Sequence, residues 1–350
     1  MIAGTSRRRV LPRLAAAALA LLAATMALVP VAVAQTATAA RPAAIEVNSR
    51  PIGYFSHGEP SRVRFGSLEF VSGLVLTSSF RGFGGLSALR VDPRGERFVA
   101  VSDKGTWFTG RFVYRGRQLA GLAEVTAAPV LGPDGGPIAR RGWYDTESLA
   151  IDGDTAYIGI ERVNHILKFP AFGRDGVRAY GEPISAPPAL RRLPFNKGLE
   201  ALVVVPRALP LGGTLLAISE RGLDAAGNIQ AFMIGGPSPG EFSVRRRDDY
   251  DVSDVAVLPS GSLLLLERKF SIFSGVGIRI RRIPLAGVVP GAVVDGPAIF
   301  EADLGYEVDN MEGLDVQETA AGDTILTMVS DDNFSLLQRT LLLQFKLVDP

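Results

Sequence analysis

The sequence predicts an all-β chain folded as a β-propeller, and three observations carry that expectation. From about residue 45 onward the apolar residues come in short β-branched and leucine-rich runs without a sustained 3.6-residue period. Those runs are broken by Gly, Pro and Asp turns, in a chain of 39 Gly, 23 Pro and 47% hydrophobic residues. A two-strand unit also recurs five times at the spacing of a propeller blade.

The N-terminus stands apart. Residues 1–34 carry Arg7, Arg8, Arg9 and Arg13 without an acid, then an apolar run from Leu14 that ends Ala32-Val33-Ala34. A basic start, an apolar stretch and a small-x-small end form a cleaved export signal. Ser6-Arg7-Arg8-Arg9-Val10-Leu11 resembles the twin-arginine export motif, with Val10 in place of the usual phenylalanine. The competing reading is an uncleaved membrane anchor, but the run is mostly alanine and Pro30 interrupts it. The mature chain is therefore expected outside the cytoplasm, periplasmic or secreted. Residues 35–44 read as a flexible tether, and residues 45–350 as one propeller domain.

Each repeat opens on a polar residue, continues through small and aliphatic residues to a turn, and closes on a strand with a charged end. Ser87, Glu147, Glu200, Asp254 and Glu312 open the five units. Their mean separation of about 56 residues divides the mature chain into between five and six blades. Strands before residue 80 and the terminal Leu341–Phe345 run supply a further unit. Six blades are thus expected, with five or seven as the neighbouring counts, and N- and C-terminal strands sharing the blade that closes the ring.

In a propeller the same repeat position recurs around one mouth of the channel. The openings predict a ring of Glu147, Glu200, Asp254 and Glu312, with Ser87 uncharged. Carboxylates converging on one axis repel unless protons or a cation intervene. A hard divalent cation, calcium foremost, takes several oxygen ligands, so calcium is the expected cofactor. The alternative is that each acid caps its own turn. Asp309 and Asp331 join the metal-ligand candidates, because acids crowd residues 303–312 and Asp331-Asp332-Asn333 ends the last unit without a base.

Elsewhere an acid is followed directly by a base: Asp103-Lys104, Glu161-Arg162, Glu220-Arg221 and Glu267-Arg268. Adjacent strand residues point to opposite faces, so one member can reach the mouth while the other pairs with a neighbouring blade. Lys104, Arg162, Arg221 and Arg268 are the candidate catalytic clamp on an anionic substrate, or else members of inter-blade salt bridges.

Other chemistries are excluded or weak. The chain has no Cys and only two His, His57 and His165, which removes disulfides, thiolate metal sites and multi-histidine centres. Without the signal its charge is 33 basic against 36 acidic residues, so no nucleic-acid partner is expected. Gly236-Pro237-Ser238-Pro239-Gly240 fits the pattern of a nucleophile elbow, but its prolines and the following strand deny it the required strand–turn–helix setting. A monomer acting on a small anionic substrate or ligand is expected, with no membrane span after signal cleavage.

Ser102-Asp103-Lys104-Gly105, Asp145-Thr146-Glu147-Ser148-Leu149, Asn196-Lys197-Gly198-Leu199-Glu200-Ala201-Leu202, Leu266-Glu267-Arg268 and Asp309-Asn310-Met311-Glu312-Gly313-Leu314 together resemble the phytase-like propeller family, proteins with esterase-like activity of phytase. The resemblance spans roughly residues 50–347. It implies an exported bacterial propeller and, by more distant analogy, a calcium-dependent hydrolase of phosphoesters or other esters. A metal-dependent lactonase-type propeller and a non-catalytic envelope propeller that binds a ligand or protein remain open, since one fold hosts many functions.

Overall fold

The computed structural model describes Met1, residues 41–271 and residues 275–348. Apart from Met1, the expected export signal lies outside the described residues, as do residues 35–40 of the expected tether. Of the remaining tether, Ala43–Ala44 pairs antiparallel with Ala127 and Thr126 at the outer edge of the first sheet. Among the described residues no helix is long and apolar enough to cross a membrane.

Five sheets follow one another along the chain, each led by its innermost strand apart from the N-terminal strands added to the outer edges of the first and last. The inner strands are Leu86–Val91, Thr146–Asp152, Leu199–Val204, Asp251–Leu258 and Asn310–Glu318, and they head blades 1 to 5. Arg97–Ser102, Thr155–Ile160, Leu215–Leu223, Ser262–Ser271 and Thr324–Asp331 pair with them antiparallel. The turns between them follow from sequence. In blade 1, Asp92 Oδ1 accepts the amides of Glu96 and Arg97 at 2.7 and 2.9 Å while Gly95 takes φ +69°. This is the local bonding that Asp supplies and the left-handed conformation that Gly tolerates.

Burial of both sheet faces holds the ring together. Along Ser262–Ser271, Leu263 and Leu265 join a core with blade 3, whereas Leu264 and Leu266 join a core with blade 5. The two-residue period of a strand sends alternate side chains to opposite neighbours. Five such cores fill the five junctions between consecutive blades. Each fully buried Leu or Phe contributes about 1.5–3 kcal/mol.

The ring has five blades, not the six expected. Thr340–Leu347 is the third strand of blade 5, and Leu68–Thr77 pairs beside it, followed by Asn48–Ile52. The shared closing blade is therefore present, but it is the fifth unit itself. After Thr340–Leu347 the outer positions of that sheet are taken by Leu68–Thr77 and Asn48–Ile52 from the N-terminal part of the chain. Counting residues assigned these strands a blade of their own because spacing does not reveal which sheet a strand joins.

A narrow five-bladed channel lets one side chain bridge it. Arg90 of blade 1 donates from Nη1 to Asp254 Oδ2 at 2.8 Å and to the Leu314 carbonyl at 3.0 Å. From Nη2 it donates to Asp254 Oδ1 at 3.0 Å and to the Leu202 carbonyl at 2.9 Å. This buried network ties blades 1, 3, 4 and 5 across the axis. The cavities at the two mouths share no lining residue.

Candidate metal centre at the channel mouth

Every inner strand carries one extra residue near its start. The pairing skips from Leu86 to Ala88, Thr146 to Ser148, Leu199 to Ala201, Val252 to Asp254 and Met311 to Gly313. The bulged residues are Ser87, Glu147, Glu200, Ser253 and Glu312. A bulge bends the strand and re-aims one side chain, a common device beside binding sites.

A second ring comes from the partner strands. The positions paired just before the bulge are Ser102, Ile160, Ser219, Glu267 and Ser330. The residues that follow them are Asp103, Glu161, Glu220, Arg268 and Asp331. Backbone bonds fix these second-ring residues: the amides of Asp103, Glu161 and Glu220 donate to the carbonyls of Gly85, Asp145 and Gly198 at 2.9, 2.8 and 2.7 Å.

The two rings meet in a small polar cavity of about 180 Å³. Asp103, Asp145, Glu147, Glu161, Glu200, Glu220, Glu312 and Asp331 line it with Lys197 and Arg268, eight carboxylates against two cations for a formal charge of −6. Oxygens of Glu161, Glu200 and Glu220 lie within 4.8 Å of one another. Arg268 Nη2 stands 3.2 Å from Glu312, 3.5 Å from Glu220 and 3.6 Å from Glu200. Lys197 Nζ grips both oxygens of Glu220 at 2.9 and 2.8 Å. The Gly198 amide donates to Glu161 Oε1 at 2.7 Å, and Asn310 Nδ2 donates to Glu312 Oε1 at 2.8 Å.

Ionising this many buried acids together is costly, and their proton affinities record it. Burial, reinforced by Glu220 and Asp145, pushes Glu161 up to about 7. Burial, partly offset by Arg268 and reinforced by Glu147, pushes Glu312 up to about 8. Burial and the neighbouring Glu312 push Asp331 up to about 9. Glu147 and Glu200 lie well above the usual carboxylate range, again through burial first and neighbouring acids second. Burial opposes the charge of Arg268, but Glu312, Glu200 and Glu220 outweigh it and raise its pKa.

The donor set suits a hard cation. It is all oxygen, and more carboxylate oxygens converge than the two basic groups satisfy, as calcium requires. Asp103 Oδ1 is buried and has no hydrogen-bond partner among the described residues. These residues fit the ion that the sequence implied.

Of the sequence-predicted metal ligands, Glu147, Glu200, Glu312 and Asp331 are brought together. Asp254 is not, because the bulge in blade 4 falls on Ser253 and leaves Asp254 one residue out of register, bound to Arg90 and to the amides of Leu314 and Val255. Asp309 lies outside the cavity, where it accepts from the amides of Asn310 and Arg339. Among the predicted clamp residues only Arg268 enters. Lys104 bonds Asp103 at 2.8 Å and lies over the Phe334 ring. Arg162 lies over Tyr144 and Phe195, 3.7 Å from Asp145. Arg221 is taken by Asp251 of the next blade. His57 meets Glu307 and His165 packs on Trp143, and neither lines the cavity.

Sequence reasoning assigned the mouth to the bases of the acid–base pairs, yet in blades 1 to 3 the acids enter and the bases stay on the rim. Blade 4 inverts this order: Arg268 enters, while Glu267 is fully buried against Arg279 and Arg281. The signal available in the sequence was the alignment of the four acid–base pairs with Asp331, read one residue differently in blade 4.

The family described as phytase-like, "esterase-like activity of phytase", matches residues 81–334. No curated protein matches the chain. Among solved structures, glutaminyl cyclase of Myxococcus xanthus is similar at 13% identity and a TM-score of 0.38, over 76% of this chain and 92% of that one. A chain of a nidogen/laminin complex is similar at 10% identity and a TM-score of 0.36, over 81% and 88%.

Proposed function

The chain belongs to the phytase-like family, and from that premise we propose that it is an exported hydrolase of anionic esters, phosphomonoesters first, working with calcium at the carboxylate cluster. The observation that carries this reading is the convergence of eight carboxylates and two cations in one small polar cavity. The export pattern of residues 1–34 supports a site of action outside the cytoplasm.

Glu161, Glu200 and Glu220 would hold the ion, with Glu147 and Asp331 completing the oxygen set. When bound, calcium neutralises substrate charge and polarises the bond to be broken. Arg268 and Lys197 bind the non-bridging oxygens of the ester and stabilise the charge that develops there. Glu312, oriented by Asn310 and Arg268, accepts the proton of the attacking water; a base with a pKa near the working pH is matched to that task. The oxygen–phosphorus bond to the alcohol breaks, and the alkoxide leaves with a proton from solvent. Lys104 and Arg162 on the rim attract the anion toward the mouth.

The test uses the protein without residues 1–34. Calorimetry should register saturable calcium binding, and p-nitrophenyl phosphate should be hydrolysed only without chelator. Glu312→Gln should lower turnover by about 100-fold. Equal, feeble turnover in chelator, wild type and Glu312→Gln overturns the proposal, and turnover of a sugar lactone alone transfers the site to a lactonase.

A further inference from the structure

The opposite mouth of the channel holds a larger cavity of about 780 Å³ with a different chemistry. Four residues beyond each bulge stand Val91, Ile151, Val204, Val257 and Val316, one β-branched residue per blade, each half-buried. Two residues further, Pro93, Pro206 and Pro259 form three-fifths of the rim. Proline fixes its own backbone and offers no amide donor, so this wall is apolar and preformed.

The floor is polar and its charge does not cancel. Arg90 is matched by the bidentate carboxylate of Asp254. Asp315 lies beside it, half-buried, and accepts the Val91 amide through Oδ2 at 2.6 Å. Burial, partly offset by Arg90, pushes Asp315 up to about 6, which leaves it ionised at neutral pH. At the rim, Arg94 stands 3.6 Å from Asp92, and the charge of Glu318 is set against that of Arg97, so the rim charges balance. An aliphatic collar thus leads down to one excess carboxylate.

We propose that this cavity binds a compact apolar molecule bearing one basic nitrogen, with the ammonium on Asp315 and the body against the aliphatic collar. The Arg90–Asp254 network separates it from the carboxylate cluster, so it fills independently of calcium. The ligand lies opposite in charge to the substrate proposed for the other mouth.

The test is titration calorimetry of the protein, in chelator, with 1-adamantylamine and its uncharged counterpart 1-adamantanol. The amine should bind about tenfold more tightly than the alcohol. Asp315→Asn keeps an acceptor for the Val91 amide and should remove that preference while leaving the alcohol unaffected. Val257→Trp, or Val204→Trp on the neighbouring blade, should fill the collar and abolish binding of both at an unchanged melting temperature. No saturable binding, equal affinity for amine and alcohol, a preference that survives Asp315→Asn, or binding that survives both tryptophans each overturns the proposal. Failure here leaves the calcium reading intact, because none of the three variants touches the carboxylate cluster.

Discussion

Arg90 and Asp254 form a bidentate ion pair across the propeller axis, at 2.8 and 3.0 Å, one from blade 1 and the other from blade 4. The same carboxylate also accepts the amide of Leu314 from blade 5. An acid that repeat spacing assigned to a metal ring is thus a fastening between blades. Breaking a buried pair by removing one charge costs about 3–5 kcal/mol. Asp254→Asn should lower unfolding free energy in urea by that amount and leave calcium affinity unchanged. A large loss of calcium affinity in folded Asp254→Asn would return this residue to the metal site.

Glu200→Gln should act in the opposite sense. At alkaline pH, where the cluster is ionised, it removes one charge from members that repel, so the calcium-free protein should melt higher there while calcium binds at least about tenfold more weakly. Scanning calorimetry and a calcium titration on the same sample check both signs. A lower melting temperature without calcium would mean that Glu200 is held by its partners and not strained by its neighbours.

The raised carboxylates set a pH dependence. Glu161, Glu312 and Asp331 bind protons up to about 7, 8 and 9 when folded, against ordinary values of 4.5 and 3.8. The folded state therefore holds more protons than the unfolded one across that range, and stability falls as pH rises. It is fully present below about pH 4 and lost through pH 7 to 9. In chelator the melting temperature should drop between pH 6 and 9, and calcium should flatten the drop, because metal ligation takes the deprotonated forms. A melting temperature that climbs over this range in chelator contradicts the assignment.

Leu74→Ala tests the closure. Leu74 is fully buried at the junction of blades 5 and 1, on the N-terminal strand that faces Leu342. Loss of its side chain should cost about 3 kcal/mol, as measured by urea unfolding. A near-neutral result would mean that the N-terminal strand is not part of the cooperative ring.

The propeller was legible because Glu147, Glu200 and Glu312 share a repeat position and every unit turns at Gly, Pro or Asp. The blade count was not, because Leu68–Thr77 reads as a strand while its partner Thr340–Leu347 is set by ring closure. Spacing pointed to Glu147, Glu200 and Glu312, which line the cavity, and missed by one at Asp254. A bulge changes facing without changing composition, and Ser253-Asp254 allows either residue to be the extra one. Asp103, Glu161 and Glu220 were visible as members of charged pairs. Which member of each pair turns inward depends on the register of the second strand against the bulge, and no single strand encodes that.

Pairing of Leu68–Thr77 with Thr340–Leu347 also bears on how the molecule is made. The strand Thr340–Leu347 emerges from the ribosome only after blades 1 to 4 have been made. Until then the nascent chain is an open arc whose early strand waits with a bare hydrogen-bonding edge, the feature that most invites mispairing with another copy. Closing the ring thus requires one late, long-range encounter, the kind of contact that slows folding relative to local pairing.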